Sequence, residues 1–138
     1  MGEKYKGGCA CGAVRYKIDA EPLMGVHCQC RDCQRASGTG HGSFMAFPVA
    51  EAKFKGKIKT WDKKSDRGNV VSRTFCSKCG SPINAANEAA PTLIFIHVAS
   101  LDDPARFEPK AVMFASSACA WDLVDPALPK YEGVPPGL

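Results

Sequence analysis

No run of this sequence is apolar for long enough to cross a membrane as a helix: the longest, residues 93–99, is short and has His97 inside it. The opening Met-Gly-Glu-Lys-Tyr-Lys has no apolar core of a signal peptide, which points to a reducing cytoplasm. Neither a linker nor an internal repeat interrupts the 138 residues, so a single domain over residues 1–138 is expected. Charge of one sign is also scarce. A formal net charge of +4 tolerates an anionic ligand but is not the footprint of a nucleic-acid binder. The glycine-rich run Ser-Gly-Thr-Gly-His-Gly-Ser at 37–43 lacks the Gly-Lys-Ser/Thr ending of a phosphate loop. Helical signals are few, with short turns at 32–37 and 99–103.

What remains reads as β-structure. Residues 3–8 and 13–20 form a hairpin around Cys9 and Cys11, and residues 43–49 follow the glycine run. Residues 53–61 alternate, with Lys53, Lys55, Lys57 and Lys59 on one face and Phe54, Gly56, Ile58 and Thr60 on the other. Those lysines have no interleaved aromatic platform for nucleic acid, so a solvated face that protects a sheet edge explains them better. Residues 69–76 lead into a second cysteine pair, and residues 93–98, apolar on both faces, predict a central strand. From Asp122 the chain carries Pro126, Pro129, Pro135 and Pro136, so residues 122–138 read as an extended proline-rich tail.

Cysteine, by contrast, is abundant and clustered. Seven of eight fall into Cys9-Ala-Cys11, Cys28-Gln-Cys30-Arg-Asp-Cys33 and Cys76-Ser-Lys-Cys79. Seven ligands divide into four plus three, a closed tetrahedral zinc site and one with an open position. Gly12 and Gly80 follow the outer pairs, each suited to the left-handed turn that closes a zinc knuckle, so Cys9, Cys11, Cys76 and Cys79 form the closed site. The middle trio grips a metal by itself. A disulfide framework fits the even count but not the Cys-x-Cys spacing or the lack of a signal peptide. If both sites were structural, the trio would need a fourth ligand from Cys119, His27 or His41, of which Cys119 is the strongest rival.

Zinc held by three thiolates is a weak Lewis acid for water but a good home for a fourth soft ligand. A thiol bound there is deprotonated, and a thiolate attacks small aldehydes. Arg31 and Arg35 could offset the charge or hold a carboxylate, or make surface salt bridges. His41, on the glycine turn, could carry a proton near neutral pH, and the turn itself could wall the metal. His97 reads as a core histidine.

The order Cys-x-Cys-Gly, Cys-x-Cys-x-x-Cys-Gln-Arg, glycine turn and late Cys-x-x-Cys-Gly resembles the glutathione-dependent formaldehyde-activating (GFA) family, a group that includes centromere protein V. Trp121, Pro129 and Tyr131 are similar to that family's closing segment. The resemblance implies a mainly β, zinc-stabilised β-tent, similar to a Rab-associated zinc protein. It also implies a structural zinc on Cys9, Cys11, Cys76 and Cys79 and a second zinc on Cys28, Cys30 and Cys33. The reaction it implies joins glutathione to formaldehyde as S-(hydroxymethyl)glutathione, a carbon–sulfur lyase activity with Arg31, Arg35 and His41 assisting. A non-enzymatic, zinc-stabilised protein-binding module is the alternative.

Overall fold

The computed structural model describes residues 4–136. Ten strands form two sheets: β1 (Tyr5–Gly8), β2 (Arg15–Ile18), β3 (Met24–Cys28), β4 (Gly42–Pro48), β5 (Ala52–Lys55), β6 (Ile58–Lys64), β7 (Val70–Cys76), β8 (Pro82–Asn87), β9 (Leu93–His97) and β10 (Ala111–Met113). A single α-helix, α1 (Arg31–Ser37), and short 3-10 turns complete the described residues. The smaller sheet runs β1-β2-β5 and the larger β10-β3-β4-β9-β8-β7-β6. This is the mainly β fold expected, and no helix of the described residues is long and apolar enough to cross a membrane.

Period-2 alternation sorts the side chains of the large sheet onto two faces. Met45, Phe47, Ile94 and Ile96 point to the small sheet and bury against Tyr5, Val14, Tyr16 and Ile18. Phe44 and Phe95, from the same two strands, point the other way, into a second cluster with Val26, Cys28 and Cys33. Between Thr74 and Phe75 the register skips from Asn84 to Pro82, leaving Ile83 as an extra residue. That bulge lets Ile83 join the first core while Ala85 serves the second. The strand over 93–97 is central, as its two-sided apolar pattern requires.

Two local expectations change. The alternation over 53–61 makes two strands in different sheets, broken at Gly56, whose φ is +106. A Cβ there would sit 2.1 Å from the Ala13 carbonyl oxygen, so the chain turns where only glycine fits. The lysines stay exposed, but so do Ile58 and Thr60 opposite them, because β6 ends its sheet. The turn expected at 99–103 lies at Val98–Ser100 instead, and Leu101 then bridges to Gly7. The hairpin of β1 and β2 forms as expected, although Glu3 lies outside the described residues. From Ala118 to Pro136 the chain is irregular, with one parallel bridge from Lys130 to Val112 on β10, and the last two residues of the expected tail lie outside the described residues.

Candidate metal centre and adjoining pocket

Cys9 and Cys11 sit in the β1–β2 turn, while Cys76 ends β7 and Cys79 lies in the turn to β8, so the four thiols come from different sheets. All four sulfurs lie within 4.8 Å of one another. The Cys9–Cys11 and Cys11–Cys76 sulfur separations are 3.6 and 3.8 Å. A tetrahedron with metal–sulfur bonds of about 2.3 Å has edges of about 3.8 Å, so this donor set fits zinc. The two turns match. Gly12 N–H donates to Cys9 O and Gly80 N–H to Cys76 O, with φ of +80 and +79 at the glycines. Backbone N–H groups of Val14 and Cys79 aim at the sulfurs of Cys9 and Cys76, at 3.2 and 3.4 Å. Cys79 is drawn down to about 5 by the Ser81 hydroxyl and nearby backbone N–H groups. Cys11 is pushed up to about 11: the Ala13 backbone pulls against it, but desolvation and the other three thiols outweigh that. Cys9 and Cys79 drawn down beside a raised Cys11 mark a place that suits a cation.

The second cluster is Cys28, Cys30 and Cys33, again within 4.8 Å. Cys28 ends β3, Cys30 caps α1 and Cys33 occupies its first turn, where its N–H donates to Cys30 Sγ at 3.3 Å. Gly38, at φ +76, stops the helix one residue past Ser37. Cys28 and Cys33 are buried. Thiols of Cys28 and Cys33 hydrogen-bond to Cys30 and pull it down to about 2. The converse bonds push Cys28 far above the usual thiol range, and Cys33 rises to about 12 although its bond from Cys28 acts to lower it. One thiolate bonded by two thiols is the arrangement a divalent cation would replace. Three donors fit such an ion and leave its fourth position to a ligand.

The trio lies at a cavity of about 400 Å³, within the range of small-molecule sites. Its apolar wall includes Phe44, Phe95, Val71, Met113 and Phe114. Its cations are Arg31, Arg35, Lys63, Arg67 and Arg73. Asp32 neutralises two of them, holding Lys63 at 2.9 Å and Arg35 at 3.8 Å. Arg31 instead donates to the uncharged amide of Gln34, and Arg67 lies over the Phe114 ring at 5.3 Å. Arg73 reaches Cys33 Sγ with Nη2 at 3.7 Å. Sequence reasoning missed Arg67 and Arg73. For Arg73 the available signal was an arginine inside the otherwise apolar and hydroxylic strand β7; Arg67, before that strand, carried none.

The remaining expected residues fall elsewhere. His41 does not line this cavity; its Nδ1 pairs with Asp122 at 2.8 Å, and its ring meets the edge of His27 at 4.6 Å. His27 precedes Cys28 on β3 and so faces the opposite side, bonded to Ser43 Oγ at 2.9 Å. Burial, then His41, pushes His27 down to about 4. Arg35 is an exposed partner of Asp32, the salt-bridge reading of that residue. Cys119 donates its thiol to Gln34 Oε1 at 3.8 Å and is absent from the trio's cluster. All eight cysteines are free, so no disulfide framework is present. Of the glycine turn, Gly42 abuts the trio: a Cβ on it would lie 3.5 Å from Cys33 Cβ. His97 is buried beside the Phe44 ring at 4.5 Å.

A crystal structure of a Rhodobacter sphaeroides protein shares this fold, with a TM-score of 0.59 over 91% of this chain and 98% of that one, at 18% identity. Among curated proteins there is no match. The family model described as glutathione-dependent formaldehyde-activating enzyme matches residues 4–117, which takes in both cysteine clusters and stops short of Trp121, Pro129 and Tyr131. The chain belongs to the glutathione-dependent formaldehyde-activating family.

Proposed function

We propose that this protein is a zinc-dependent carbon–sulfur lyase acting on the adduct of a small thiol and an aldehyde, with glutathione and formaldehyde giving S-(hydroxymethyl)glutathione. The observation that carries this reading is the placement of a three-thiol cluster at a cation-lined cavity of about 400 Å³. Cys28, Cys30 and Cys33 would hold the ion there, while Cys9, Cys11, Cys76 and Cys79 would hold a structural one. Zinc bound to the trio supplies a soft cation beside which a fourth sulfur stays deprotonated.

The chain's own groups do the rest. Arg31 and Arg67, which no carboxylate neutralises among the described residues, are placed to receive the carboxylates of a tripeptide thiol. Phe44, Phe95 and Met113 exclude water from the sulfur, which keeps the thiolate reactive. In the forward direction the sulfur lone pair forms the C–S bond, the carbonyl π pair moves to oxygen, and the proton lost by the thiol ends on that oxygen. Thiol and aldehyde sum to the product with nothing left over. Eight free cysteines suit a reducing compartment, which supports the cytoplasm as the site of action.

Exchange NMR with ¹³C-formaldehyde and glutathione tests the proposal. Native protein should speed exchange between free aldehyde and adduct above the buffer rate, and Cys30→Ser should return it to that rate while keeping the folded spectrum. Exchange no faster than in buffer, with two zinc ions bound per chain, would sink the lyase reading.

A further inference from the structure

Two buried side-chain atoms lack a hydrogen-bond partner among the described residues, and one of them is Nη1 of Arg73. A guanidinium taken out of water is costly unless an anion faces it. No carboxylate pairs with Arg73 among the described residues. Val71, Ala85 and Phe95, which share its face of the sheet, are apolar, and Asp32 and Asp66, which line the same cavity, form no ion pair with it. Register puts Arg73 opposite Ala85 on β8, which in turn is opposite Phe95 on β9, and alternation turns all three to the face that carries the trio. Among the described residues its fork makes one hydrogen bond, from Nη2 to Cys33 Sγ.

We infer that Arg73 is the counter-cation of the three-cysteine site, a positioning residue that neutralises the metal–thiolate cluster and sets how tightly it holds its ion. Three thiolates and a divalent ion leave one negative charge, and the guanidinium cancels it. A fourth thiolate entering the open position then meets a neutral cluster rather than an anionic one. His97 cannot share this task. Burial and, after it, the Arg73 charge hold its imidazole neutral, with its ordinary pKa lowered to about 4. Arg31 and Arg35 belong to the helix and its solvent side, bonded to Gln34 and Asp32. The inference rests on the trio being a metal site, as in the proposed function, but not on the reaction.

Zinc competition with a chromophoric chelator tests it on the intact protein, with the four-cysteine site as internal reference. Arg73→Gln should weaken one of two zinc equivalents by about 10–100-fold and leave the other as in the native chain. Arg73→Lys, which keeps the charge, should recover most of that loss. Native thermal melting of both variants confirms the fold. Equal retention of both ions in the Gln variant overturns the inference. So does an equal loss in the Lys and Gln variants, which would assign Arg73 a packing task instead. A native stoichiometry of one zinc removes the site itself. Arg73-dependent affinity without formaldehyde exchange would leave this inference standing and the lyase reading fallen.

Discussion

Cys11 and Cys76 are 65 positions apart in the chain, yet their sulfurs approach to 3.8 Å. One belongs to the turn of the small sheet and the other to the end of β7 in the large one. Ala10 N–H adds a bond to Ser81 Oγ at 3.0 Å across the same junction. A metal there would close a long loop and tie the two sheets together.

Loss of one ligand should therefore unfold more than the site. Cys11 is the informative choice, because it is exposed and its replacement removes no core packing. Cys11→Ser is expected to lower unfolding free energy by more than ~3 kcal/mol in zinc-containing buffer. Denaturant titration checks this, and a native midpoint would show that the two turns close without the ion.

Acidification has a predicted course. His97 is buried with its pKa lowered to about 4, so between that value and its unfolded value near 6.5 the unfolded chain binds the extra proton. Its contribution to stability is complete above pH 6.5 and is lost as pH falls toward 4, by about 3 kcal/mol at most. Denaturation midpoints of native and His97→Gln proteins should converge over this range. A pH dependence identical in the two proteins would refute the assignment.

Gly56 holds the switch between sheets. With φ at +106 and the Ala13 oxygen in the way of a Cβ, Gly56→Ala is expected to cost about 2–4 kcal/mol. Thermal melting reads this directly. An unchanged melting temperature would mean that the β5–β6 corner yields freely.

Substrate carboxylate recognition makes a separable claim. Arg31→Ala should raise the glutathione KM about 10-fold, as expected for losing a hydrogen bond to a charged group, with kcat little changed. Cysteamine, a thiol without a carboxylate, should be handled equally by both proteins. A parallel loss with cysteamine would remove Arg31 from substrate binding.

The clusters were legible because their ligands announce themselves locally. Cys-x-Cys and Cys-x-x-Cys with a following glycine specify both donor spacing and turn geometry, and both glycines adopt the left-handed conformation. The apolar run over residues 93–98, with His97 inside it, identified the central strand for a similar reason. β3 escaped notice because Met24–Cys28 contains Gly25 and runs directly into ligands, leaving no alternation to read. β10 is only three residues long and finds its place by parallel pairing with β3. Arg73 and His41 depended on distant partners: Cys33 is 40 positions from the first and Asp122 is 81 from the second. Sheet register decides those meetings, and register is not written in either segment alone.

The sheet borders have a consequence for the molecule in a crowd. β1 and β10 are covered by their own chain, through the Gly7–Leu101 and Val112–Lys130 bridges. β5 and β6 end their sheets and bear Lys53, Lys55, Lys59 and Lys64, besides Lys63, which Asp32 neutralises. Two molecules that meet along these borders bring like charges together before any ladder can form. Dispersal at high concentration is thus built into the two border strands that no other segment bridges among the described residues.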